Sequence, residues 1–144
     1  MIGEEYPQVG DGWAFPPRWR WDAASSTAVL DASAPDAAAR VEHVRQALVI
    51  LLRTQLGSRV MRPAFGAGVD RHVFEPRTAE LCHRLAEDVR RALVLGEPRV
   101  IVDAVDATPA GDADERVDVT IAFRIDRHRR PDSLVLPFYV AGGA

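Results

Sequence analysis

Residues 117–125 carry the strictest pattern in the chain. Val117, Val119, Ile121, Phe123 and Ile125 alternate with Asp118, Thr120, Ala122 and Arg124. A period of two puts the apolar set on one side of an extended backbone, so this stretch is a half-buried strand. Such a strand needs strand neighbours and a layer over its apolar face. Val100 to Asp106 reads as the strand before it, joined by a polar, glycine-containing connection from Thr108 to Glu115. Leu134, Leu136, Phe138 and Val140 make a second alternation after it. Pro137 has no N–H to give to a ladder, which places that last strand at a sheet edge or at a bulge.

Two helices supply the covering layer. Ser33 can cap the first, with Pro35 in its opening turn and Asp36 at its positive end. Val41, Val44, Leu48, Leu51, Leu52 and Gln55 recur at helical spacing and predict a helix from about Asp36 to Leu56, stopped by Gly57. The second helix is expected to open near Pro76 or Thr78 and stop at Gly96. Leu81, Leu85, Val89, Ala92 and Leu93 line one face, and Arg84, Glu87, Asp88, Arg90 and Arg91 the other. Cys82 lies beside the apolar stripe and reads as a small buried hydrophobe. Between the helices, Val60 to Pro63 reads as a short extended piece, followed by the loop Ala64–Gly68. That loop lacks the spacing and the Lys-Ser/Thr of a phosphate-binding loop. The expected fold is α/β (α+β): one small domain over residues 31–144, with two main helices on a three- to four-stranded, mostly antiparallel sheet.

Residues 1–30 read differently. Glycines and prolines punctuate them, yet Trp13, Trp19 and Trp21 all fall here beside Tyr6 and Phe15. Disordered tails are depleted in such residues. The segment is expected to be an extended aromatic arm that folds over its own domain or docks on a partner. Trp13, Phe15 and Trp19 are the candidate anchors.

Composition removes several classes of function. A chain of 144 residues, 47% apolar and 27% charged, fits a single domain with a real core. A formal net charge of -3 argues against a strongly basic nucleic-acid binder. No apolar run approaches ~20 residues, so no membrane insertion is expected. A secretory signal pattern is missing and Cys82 is the single cysteine, which suits a reducing compartment. All 18 positive side chains are arginine, the better residue for planar, bidentate contacts at interfaces.

The search for chemistry returns little. His43, His72, His83 and His128 fall in different elements, without the one-turn spacing of a helical metal site, and each reads as a surface or boundary histidine. There is no nucleophile elbow and no compelling Cys–His arrangement. Catalytic, cofactor-binding and metal residues are all expected to be absent. Glu97-Pro98-Arg99 is the notable junction: Pro98 stiffens the passage from helix to strand, where the two charges can pair internally or face a partner. Glu75-Pro76-Arg77 repeats the tripeptide at the start of that helix.

Four segments in order resemble the gp25-like baseplate wedge family of contractile phage tails. They are Arg59 to Gly68, Val73-Phe74-Glu75-Pro76, Glu97-Pro98-Arg99 with the strand after it, and Pro137-Phe138-Tyr139-Val140. The arm around Gly12 to Pro17 resembles members from extracellular contractile injection systems. The resemblance implies a non-catalytic plate component, in six copies, that joins the wedge to the first sheath ring. Larger wedge proteins, sheath subunits and hub or spike proteins are the implied partners. It also implies assembly in the cytoplasm into a phage tail or a released particle. The implied contacts fall on Glu97, Pro98 and Arg99, with Arg62, Phe65, Glu75, Leu136, Phe138 and Tyr139 as further candidates. A regulatory binding adaptor on the same small fold is the second reading and a peptidoglycan hydrolase the third.

Overall fold

The computed structural model describes residues 17, 19–30, 37–111, 115–125 and 131–141. Trp13, Phe15 and the expected cap Ser33 with Pro35 and Asp36 lie outside the described residues. The chain divides into two compact units, residues 1–47 and 48–144.

In the first unit, β1 (Trp19–Asp22) pairs antiparallel with β2 (Thr27–Leu30), Trp19 opposite Leu30 and Trp21 opposite Ala28. Within the segment expected to be an extended arm, residues 19–30 thus form a hairpin. The turn is closed by Asp22, whose carboxylate accepts from the Ser25 hydroxyl at 2.6 Å and from the Ala24 N–H at 3.3 Å. Trp19 and Trp21 share a face, as period two requires, and each is 67% exposed.

Helix α1 (Ala37–Arg53) crosses into the second unit and ends three residues before the expected Leu56. Its last turn is drawn in at Thr54, whose hydroxyl donates to the Ile50 carbonyl at 2.6 Å. Residues 54–68 then form a closed loop, and the expected extended piece at Val60–Pro63 is a turn. The Arg62 N–H donates to the Arg59 carbonyl and Met61 takes a left-handed φ of 61°. A 3-10 turn (Val69–His72) leads to α2 (Ala79–Gly96). Thr78 caps α2 by accepting from the Leu81 N–H at 3.2 Å, so the helix opens after Thr78, one of the two expected starts.

The strands β3 (Ile101–Pro109), β4 (Arg116–Arg124) and β5 (Asp132–Tyr139) form an antiparallel sheet in that order. Val117, Val119 and Ile121 stand opposite Phe138, Leu136 and Leu134 on β5, so the apolar faces coincide. On the other side Ile121 faces Val105, and a bulge between Val102 and Ala104 sets Asp103 out, where it binds Arg124 at 2.6 Å. Helix α2 packs on β3. Leu81, Leu85, Val89 and Leu93 of α2 and Val117, Val119, Ile121 and Phe123 of β4 are all buried, with Leu48, Leu51 and Leu52 of α1. Cys82 is buried too, and that desolvation pushes its thiol pKa up. The two helices meet where α2 ends. A Cβ on Gly96 would lie 2.6 Å from the Leu51 side chain, so a larger residue would force the buried Leu51 to move.

Candidate interaction site

The corner after α2 is built by the Glu97-Pro98-Arg99 junction. The Glu97 N–H still donates to the Leu93 carbonyl at 3.0 Å, which holds Glu97 on the helix end while Pro98 turns the chain toward β3. Arg99 reaches back with both arms of its guanidinium: Nε donates to Oε1 and Nη2 to Oε2 of Glu97, each at 2.6 Å. Glu97 is only 7% exposed, while Arg99 is half-buried. The hydrogen bonds that Arg99 donates to the Glu97 carboxylate raise the Arg99 pKa above its usual range. The internal pairing considered from sequence is therefore present. It fixes the guanidinium at the surface of a rigid corner.

A second ionic cluster precedes α2, and the sequence reading missed its centre. His72 is 3% exposed, not a surface or boundary histidine. Its Nδ1 lies 2.9 Å from a Glu75 carboxylate oxygen and its Nε2 lies 2.8 Å from Asp88. Arg71 pairs with Asp88 at 2.6 Å and Arg84 pairs with Glu75. Both ring nitrogens can donate only when the imidazole is protonated. The hydrogen bond from His72, helped by Arg84, holds the Glu75 carboxyl below the usual range. Burial pushes Asp88 up, but the hydrogen bonds from His72 and Arg71 outweigh it and hold Asp88 low as well. Glu75 thus stitches the 3-10 turn to α2. The spacing from His72 to Glu75 was visible in the sequence, whereas Asp88 sits sixteen positions from His72 and only the fold joins them.

Arg62 and Phe65 come together in the 54–68 loop. The guanidinium carbon of Arg62 lies 5.2 Å from the Phe65 ring centre, and that of Arg59 lies 5.0 Å from it. Leu136 and Phe138 turn their side chains to the half-buried face of β5, and Tyr139 is exposed on the other. Among the described residues β5 pairs only with β4 and no strand lies on its other side, which is the edge position of the two that Pro137 allowed. The C-terminal end of that strand is tied down by the Val140 N–H to the Glu115 carbonyl at 2.8 Å and by the Ala141 N–H to the Val73 carbonyl. The candidate residues therefore form separate places: the corner, the loop, the turn before α2 and the open edge. Trp19 belongs to the hairpin of the first unit. No group of His, Cys, Asp and Glu suited to a metal ion occurs among the described residues.

Comparison with known proteins identifies the family. Baseplate protein W of Escherichia phage P2 is 33% identical over 97 residues, spanning 67% of this chain and 83% of that one. A chain in the six-fold symmetrised cryo-EM structure of the anti-feeding prophage baseplate superposes with a TM-score of 0.66 at 27% identity. It covers 85% of this chain and 91% of its own. A Geobacter sulfurreducens protein provisionally described as a tail lysozyme gives a TM-score of 0.64 at 34% identity, over 72% of this chain and 94% of that one. The family described as baseplate wedge protein gp25 matches residues 38–130, which include both helices, the corner and the first two strands of the sheet. The chain belongs to that family and is a baseplate wedge component of a phage-tail-like contractile system.

Proposed function

We propose that this wedge component is non-catalytic and joins the plate to the first ring of sheath, whose assembly it helps to start. The open edge of β5 carries the reading. An unpaired row of N–H and C=O groups is a liability unless a neighbouring chain pairs with it. Here the strand is registered on β4 along its whole length and anchored at its end, so its free edge is held ready for an added strand. The corner at Glu97, Pro98 and Arg99 suits attachment to the larger wedge proteins, because Pro98 and the bidentate Glu97–Arg99 pair hold its backbone and charges in one geometry. Six copies around the axis, with hub or spike proteins at the centre, complete the expected setting, and assembly in the cytoplasm precedes release.

Three partnered carboxylates fit a scaffold better than a hydrolase. A glycosidase acid needs a raised pKa. Glu75, Asp88 and Asp103 are instead held low by their histidine and arginine partners. Particles produced without this chain are the test. Plates and tubes without sheath are expected. Normally sheathed particles would overturn the reading, and cell-wall degradation by the pure protein would restore the hydrolase.

A further inference from the structure

The 54–68 loop is a built structure. The Gly57 N–H donates to the Pro63 carbonyl at 3.0 Å, the Phe65 N–H to the Arg62 carbonyl at 3.0 Å, and the Ser58 hydroxyl to the Gln55 carbonyl at 2.7 Å. Gly66, at φ 126°, lets the loop close on α1: a Cβ there would lie 2.5 Å from the Thr54 carbonyl oxygen. All this order holds up an apex that gains nothing from the fold. Val60 is 90% exposed and Met61 is 94% exposed, and Met61 also occupies a backbone region that L side chains avoid. Strain and exposed apolar surface concentrated at one point mark a place of contact with something else.

The surroundings define that contact. Met61, Arg62, Pro63, Ala64 and Phe65 line a hollow of about 370 Å³ whose far wall is Leu95 and Gly96 at the end of α2. Leu95 is itself largely exposed. Arg59 and Arg62 are stacked on Phe65 and have no carboxylate partner among the described residues. Arg91 lies one helical turn before Leu95, on the same side of α2. The hollow is therefore apolar at its centre and cationic around it.

We infer that this hollow and the Val60-Met61 apex receive a segment of a partner protein whose apolar side chains are bracketed by carboxylates. Arg59, Arg62 and Arg91 would pair with those carboxylates, and the apolar side chains would cover Met61 and Leu95. Complementary charge around an apolar centre gives orientation and rejects basic partners. The inference rests on the baseplate reading only in looking for the partner inside the particle.

A photoreactive p-benzoylphenylalanine in place of Met61, in the full chain within assembled particles, identifies the occupant by mass spectrometry of the cross-linked peptide. The expected product is a peptide of another particle protein with Asp or Glu on both sides of apolar residues. No cross-link, a cross-link to a second copy of this chain, or one to a segment without such carboxylates would each overturn the inference. Absence of the chain from the particles would instead refute the baseplate reading. As a second measurement, the Arg59→Glu/Arg62→Glu variant and, separately, Met61→Asp should enter particles at under a tenth of the normal level. Aspartate tolerates a left-handed φ better than methionine does, so M61D should melt at or above the temperature of the parent. Normal incorporation of both variants would overturn the inference.

Discussion

Replacing Arg99 by alanine separates the two jobs its guanidinium can do. The substitution removes both 2.6 Å contacts to Glu97 and leaves that carboxylate, 7% exposed, facing only the position-99 N–H at 3.4 Å. Breaking a fully buried pair costs ~3–5 kcal/mol, whereas an exposed pair is worth ~0–1 kcal/mol. The Arg99 side chain is 25% exposed, so water can partly solvate the orphaned carboxylate, and about 2 kcal/mol is the expected loss. For a chain of this size that is a drop of roughly 4–8 °C in melting temperature, which leaves a folded domain at 25 °C. Adding Glu97→Gln removes the buried charge and should recover part of the loss. Urea titration of the parent, the two single variants and the double variant, followed by circular dichroism, gives the coupling between the pair. Coupling below about 0.5 kcal/mol would refute the argument that burial makes this pair matter. Arg99→Lys separates docking from folding: it keeps the charge but not the fork, so it should fold nearly normally and still lower particle yield.

Glu75 and Asp88 have pKa values held below the ordinary 4.5 and 3.8, so the stability they contribute is lost as pH falls through the lowered values. Asp88→Asn should flatten that acid dependence in urea midpoints measured between pH 7 and pH 3; an unchanged slope would contradict it. Gly96→Ala should lower stability by about 1–3 kcal/mol, because the new methyl meets buried Leu51; a variant as stable as the parent would mean the helices can part freely. Amide exchange along β5 should slow on incorporation into particles; equal protection in the free and assembled states would count against strand addition.

Periodicity made most of this fold readable. The stripe from Leu81 to Leu93 and the alternation from Val117 to Ile125 each depend on local geometry alone, and both elements appear where the pattern puts them. Pro137 also announced the edge, since its missing donor is a local property. The β1–β2 hairpin was legible in principle. Trp19-Arg20-Trp21-Asp22 and Thr27 to Leu30 flank a short turn, but the surrounding prolines and glycines hid the signal. The His72 cluster could not be read, because Asp88 meets it only after α2 has packed against the 3-10 turn. Nor could the left-handed φ of Met61, which no side-chain pattern encodes. Glu97 and Arg99 lay close enough in sequence for their pairing to be foreseen. Their burial was not, because it depends on where the corner sits against the domain.

A cryo-EM map of the assembled plate at side-chain resolution shows whether the β5 edge of this wedge component accepts sheath. Six copies around the axis are expected, each with a sheath strand hydrogen-bonded to the free edge of β5. A β5 edge facing solvent in every copy, or a copy number that is not a multiple of six, would contradict it.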